Sequence, residues 1–123
     1  MEKRVVRAKE AKIEQMPGWV TYDLIEPQTG IDTKTMRLGL VELNPGEETK
    51  LHYHNCEEIF YIIEGTGFIE IEGVEYEVNA GDGVFVKPNE KHMSRNKSDK
   101  LLRYIFVCSQ PQHPWPASDT IAV

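Results

Sequence analysis

From Trp19 onward, apolar and polar residues alternate with period two or gather in short apolar runs, and Gly, Pro and Asn interrupt them. That is the signature of strands rather than helices. "WVTYDLI" reads as a strand, "EPQTGIDT" as a loop, and "KTMRLGLVEL" as a strand stopped by the turn "NPGEE". The segments "KLHYH", "EIFYIIE", "GFIEIEG", "VEYEVN", "GVFVK", "HMSRN" and "LLRYIFVCS" follow, most of them separated by turn signals. "IEIEGVEYEV" predicts a hairpin turning at Glu72 and Gly73, with Val74, Tyr76 and Val78 toward the core and Glu75 and Glu77 toward water. Glu70, Glu72, Glu75 and Glu77 form an acidic, solvated face that discourages edge pairing.

The ends are less regular. Residues 2–15 suit either a short helical turn or an extended arm. Residues 110–123 are rich in proline and contain Trp115 and His113. They predict a tail lying on the body, lying on a second subunit, or disordered, but not a central strand. Many short strands without a strong helix predict an all-β sandwich or small barrel.

Length and charge narrow the function. A chain of 123 residues suits one domain with a real core. A net charge of -6, with no basic run, disfavours nucleic acid and anionic membranes as partners. No N-terminal apolar segment predicts a secretory signal, and no apolar run is long enough to span a bilayer. Only two cysteines, Cys56 and Cys108, are present, so a cytoplasmic location is expected rather than a disulfide framework. Cys56 reads as an inert turn residue and Cys108 as a small core residue.

"LHYHNCEEIF" concentrates polar groups at the start of an apolar strand. His52 and His54 share one face, about 7 Å apart along the backbone, and can converge on one ion, while Tyr53 points away. Glu58 has the same parity, but an extended chain would place it roughly 20 Å from His52. Its participation therefore requires "NCE" to turn. His92 opens a later strand after the turn signal "KPNEK". An H-x-H pair alone is also compatible with an exposed strand face.

The surroundings of these residues resemble the two signature motifs of the cupin family. The first motif has Gly, five residues, H-x-H, three or four residues, Glu, six residues and Gly. Gly46, His52, His54, Glu58 and Gly65 fill its fixed positions. The second motif is matched by Gly81, His92 and Asn96 in "GDGVFVKPNEKHMSRN". Lys87 stands where that motif has Pro, and Asn89 where it has Gly; Asn tolerates the left-handed turn this position calls for.

The resemblance implies a double-stranded β-helix (jelly-roll) barrel over about residues 34–109, with an N-terminal arm or strands over 1–33 and the tail over 110–123. It implies His52, His54, Glu58 and His92 as ligands of one divalent metal per chain, from among Mn, Fe, Co, Ni, Cu and Zn. It implies either a metal-dependent enzyme on a small oxygen-rich substrate or a non-catalytic binding or sensor module. The enzymes include sugar or sugar-phosphate isomerases and epimerases, oxalate-type decarboxylases and dioxygenases. Ile59, Tyr61 and Ile63 are apolar on the face opposite Glu58, Phe60 and Ile62 and need a cover, which the N-terminal arm, the tail or a second subunit could supply; the resemblance to small cupins implies a homodimer. Arg37, Lys87, Arg95 and Arg103 are candidate contacts for an anionic substrate, each also readable as surface charge.

Overall fold

The computed structural model describes residues 1–109 and, for the backbone, 120–122. Two antiparallel sheets face each other. The six-stranded sheet has the order β1 (Lys12–Met16), β2 (Trp19–Ile25), β3 (Met36–Leu43), β10 (Leu102–Ser109), β5 (Glu58–Glu64), β8 (Gly83–Val86). The five-stranded sheet has the order β11 (Thr120–Ala122), β4 (His52–His54), β9 (His92–Arg95), β6 (Thr66–Ile71), β7 (Val74–Asn79). Among the described residues, short 3-10 turns at Ala8–Glu10 and Pro27–Thr29 are the helical elements. The all-β class is the one the strand pattern predicts, and the jelly roll is the one the cupin resemblance implies. The chain changes sheet between β3 and β4 and again between β4 and β5, so histidines and glutamate approach one space from opposite walls.

Strand alternation decides what lines the interior. On β10, Leu102, Tyr104, Phe106 and Cys108 are buried, and the residues between them are half-buried. On β5, Glu58, Phe60 and Ile62 are buried while Ile59, Tyr61 and Ile63 are exposed. The register carries this inward set across the sheet. Arg37, Cys108 and Glu58 form one row, and Lys12, Asp23, Gly39, Phe106 and Phe60 the next. Gly39 has a local reason to be glycine. A Cβ there would lie 2.5 Å from the Phe106 ring and 2.8 Å from the Tyr22 carbonyl oxygen. Its missing side chain is the space the Phe106 ring fills.

Several expectations are sharpened or corrected. The hairpin turns at Glu72 and Gly73, whose φ angles of 49° and 80° suit a type I′ turn. Val78 is buried, but Val74 and Tyr76 are exposed: β7 is an edge strand, and only its C-terminal end is covered. Asn89 adopts φ 67°, the left-handed conformation its motif position calls for, and its N–H donates to the His54 carbonyl at 2.8 Å. The N-terminal segment becomes β1 at the edge of the six-stranded sheet, so it extends that sheet rather than covering its outer face. Within the tail, residues 120–122 pair with β4, setting Thr120 opposite His54 and Ala122 opposite His52. Pro111, His113, Trp115 and Pro116 lie outside the described residues.

Candidate metal centre

His52 and His92 stand directly opposite each other on β4 and β9. His54 lies two residues along β4, on the same face. The three ring centroids are 4.3–5.3 Å apart, and one ligand atom from each ring lies within 4.8 Å of the others. The bend at 55–57 turns the chain into the other sheet and returns Glu58 to this cluster. Its Oε1 lies 2.8 Å from His54 Nε2 and 3.1 Å from His92 Nε2. Its Oε2 accepts a hydrogen bond from Cys108 Sγ at 3.1 Å.

The outer nitrogens are fixed by backbone. Nδ1 of His52 lies 2.7 Å from the Lys50 carbonyl, and Nδ1 of His92 lies 2.9 Å from the Glu90 carbonyl. A carbonyl only accepts, so each Nδ1 carries the proton, and in the neutral ring the Nε2 lone pair points inward. A carboxylate oxygen among inward lone pairs needs a proton or a cation between them. Three imidazole nitrogens and one carboxylate oxygen are a donor set for a divalent transition metal, so the residues present fit such an ion.

The electrostatics are those of a buried cluster. Burial, reinforced by the nearby His92, pulls His52 down to about 4. Burial also opposes charge on His54, but its hydrogen bond to the Glu58 carboxylate and that carboxylate's charge outweigh it and raise that ring. Burial likewise resists ionisation of Glu58, yet hydrogen bonds to His54 and His92 hold its carboxyl well below the usual range. Hydrogen bonding with Cys108 draws the Cys56 thiol down to about 7, while the same contact and burial push Cys108 up. Both cysteines are free and buried. Cys56 lies in the turn, as expected, and is buried beside the cluster.

The cluster opens into a cavity of about 460 Å³. Its walls include Trp19, Phe60, Tyr104 and Phe106. Ser94 and Tyr104 bridge the two sheets through hydroxyls 2.8 Å apart. Of the four candidate anion contacts, the structure brings only Arg37 to this cavity, where its guanidinium lies 5.2 Å from the Phe106 ring centre. Arg95 instead pairs with Glu48, Glu70 and Glu75, and Arg103 pairs with Glu42 and Glu64. Both have the outward parity of their strands. Lys87 is exposed in the loop after β8. The acidic hairpin is therefore partly neutralised by Arg95 and Lys97 rather than simply solvated.

Asp23 is a cavity residue that the sequence reading did not single out. It is 3% exposed, lines the cavity, and is pushed up to about 7 by burial and by the neighbouring Glu26 charge. A signal was available: in "WVTYDLI" it shares inward parity with Trp19 and Thr21. Asn96, at the last fixed position of the second motif, is structural. Its side chain donates to the Leu43 and Lys100 carbonyls and accepts from Ser98.

The cupin domain family matches residues 39–108, which span β3 to β10 and every member of the cluster. This chain belongs to the cupin family. It is 30% identical over 118 residues to the polyketide synthase CurC of Streptomyces cyaneus, covering 95% of this chain and 75% of that protein. It spans 44–66% of the length of three further relatives. The oxalate-binding protein of Thermotoga maritima is 28% identical over 110 residues, covering 84% of this cupin and 91% of that one. The polyketide cyclase RemF of Streptomyces resistomycificus superposes with a TM-score of 0.76 at 25% identity, covering 100% of this cupin and 86% of that chain.

Proposed function

We propose that this cupin is an enzyme dependent on one divalent transition metal per chain, held by His52, His54, Glu58 and His92. Its substrate is a small, oxygen-rich, planar carbonyl or hydroxyaromatic compound. The observation that carries this reading is the convergence of three imidazoles and a carboxylate, from opposite sheets, on one point of an aromatic-walled cavity. A phosphorylated sugar fits less well. The cavity's cations are Lys12, Arg37 and Lys50, and Glu14 and Asp23 accompany them, so the field is mixed rather than strongly positive. The CurC and RemF likenesses support a polyketide-type carbonyl substrate.

A bound divalent ion would supply a Lewis acid that polarises a chelated carbonyl or hydroxyl. The protein's own residues do the rest. Phe60, Phe106 and Trp19 exclude water and stack on a planar guest. Arg37 holds an anionic group, its guanidinium fixed over Phe106. The Nδ1 contacts of His52 and His92 keep their Nε2 atoms aimed inward.

We place the protein in the cytoplasm, which suits its two free cysteines. We also propose a homodimer. The outer face of the six-stranded sheet aligns Tyr22, Leu40, Ile105 and Tyr61 in one row and Leu38, Val107, Ile59 and Phe85 in the next. Ile59, Tyr61 and Phe85 are about half exposed, and a second copy would cover this face.

The Thermotoga relative favours a second reading, small-acid binding without turnover. One experiment separates the two. Metal-loaded protein is incubated with a panel of hydroxylated aromatic acids, 1,3-dicarbonyl compounds and oxalate, and followed by absorbance and mass spectrometry. Metal-dependent conversion of a panel member supports the enzyme; tight binding throughout with no conversion supports the binding module.

A further inference from the structure

A second set of ionisable groups faces the same cavity away from the imidazoles. Asp23 stands on β2 opposite Lys12 of β1 and opposite Gly39 of β3. Because Gly39 has no side chain, only the Phe106 ring follows Asp23 along the row toward β10. Arg37 lies two residues before Gly39 with the same inward parity, in the row that runs through Cys108 to Glu58. Its charge acts both on the carboxyl of Asp23 and on His54 of the metal cluster. The charged groups around Asp23 are Lys12 and Glu14 on β1, Glu26 after β2, and Arg37 on β3; the row continues into β10 and β5 as Phe106 and Phe60.

A buried strand position rarely keeps an aspartate without a task. Lys12, Glu14, Asp23 and Arg37 all line the cavity, so this group of charges meets whatever the cavity holds. Glu26, 2% exposed, keeps Oε1 without a hydrogen-bond partner. Crowded carboxyls, of which Asp23 and Glu26 are buried, cannot all ionise, so a proton stays within the group.

We propose that Asp23 is the proton-exchanging group of this cavity, facing the bound substrate beside Arg37, which holds the substrate's anionic end. As carboxylate, Asp23 takes a proton from a hydroxyl or activated C–H of the substrate through one Oδ, and the electron pair of that bond stays on the substrate. Return of the proton to the substrate restores the carboxylate, with no other reactant consumed. The elevated affinity of Asp23 for its proton, near neutrality, suits a group that must both accept and return one. The assignment rests on the metal-enzyme reading above.

The test reads the carboxyl itself. The chain has five aspartates, Asp23, Asp32, Asp82, Asp99 and Asp119. Zinc-loaded protein labelled with ¹³C at the aspartate carboxyl is titrated by NMR, and Asp23→Asn identifies the Asp23 signal by its disappearance. The expected result is a midpoint near 7 for Asp23, moving upward by about one pH unit when salicylate, an aromatic hydroxy acid, is added at millimolar concentration. Arg37→Met raises the midpoint of the free protein and removes the salicylate response. A midpoint near 4, or one that salicylate leaves in place, overturns the proposal. Elemental analysis of the same samples separates the two ideas: absence of zinc overturns the metal-enzyme reading whatever the Asp23 signal does. Equal zinc content in wild type and Asp23→Asn shows that the variant is folded around its ion.

Discussion

Glu58 and His54 belong to different sheets, yet Glu58 Oε1 lies 2.8 Å from His54 Nε2. Three residues, Asn55 to Glu57, carry the chain across the gap. The contact joins the last residue of one strand to the first residue of the next, so the geometry of the turn sets the geometry of the donor cluster. The main-chain bond from Ser109 N–H to the Glu57 carbonyl, at 2.9 Å, and the bond from Cys108 Sγ to Glu58 Oε2 pin the far side of that turn to β10.

Glu58→Gln keeps the shape of the side chain but removes its charge. On the proposed ligand set the metal would lose its anionic ligand, and zinc affinity measured by competition with a chromophoric chelator is expected to fall at least about 10- to 100-fold, the range seen for weaker perturbations of metal sites. Unchanged affinity would remove Glu58 from the ligand set.

The buried Asp23 carboxyl gives stability a distinctive pH dependence. Its folded value, about 7, is above the ordinary aspartate value, about 3.9 in an unfolded chain. Between these two values the folded state binds more protons than the unfolded state, so the contribution of Asp23 to stability is full below pH 4 and is lost as pH rises to 7. Asp23→Asn has no such loss. The melting temperature of the variant relative to wild type is therefore expected to climb across pH 4–7 and level off above it. A constant difference over this window would show that Asp23 ionises normally in the fold.

Gly39→Ala tests the packing of the cavity wall. The new methyl group would sit 2.5 Å from the Phe106 ring, so that ring must move toward the cavity and Arg37 must move with it. Overpacking of this kind destabilises by about 1–3 kcal/mol. Urea unfolding should show that loss, and binding of an aromatic acid should weaken along with it. Full stability in the variant would mean the wall is looser than described.

The outer rows of the six-stranded sheet predict the state of assembly. Tyr61, 52% exposed, ends one row of that apolar face beside Ile59 and Phe85. Wild-type protein is expected to sediment as a dimer and Tyr61→Lys as a monomer with its metal retained. A monomeric wild type at micromolar concentration would contradict the proposed interface.

Period-two patterning made the strands and inward residues such as Phe60, Ile62 and Tyr104 legible, because alternation is a local property. The histidine cluster was legible through motif spacing, since His52 and His54 share a strand face. Arg37 was ambiguous until its row was known: it shares parity with Val41 and Leu43, and register places that side inward. Arg95 and Arg103 were equally plausible from the sequence, and only the partners Glu70 and Glu42, 25 and 61 residues away, reveal them as outward ion pairs. Val74 and Tyr76 had the inward pattern but lie on an edge strand, and coverage by another sheet is invisible to periodicity. The role of Asp23 depends on Glu26, Arg37 and Glu14 meeting it in space, which no single strand encodes.

The most direct measurement is the metal content of protein purified without added metal, then loaded with zinc and desalted, for wild type and His52→Ala. Wild type is expected to retain close to one divalent ion per chain, and His52→Ala to lose most of it while its circular dichroism stays that of a β protein. A wild type that retains no ion, or a folded His52→Ala variant that retains it in full, would contradict the placement of the metal among His52, His54, Glu58 and His92.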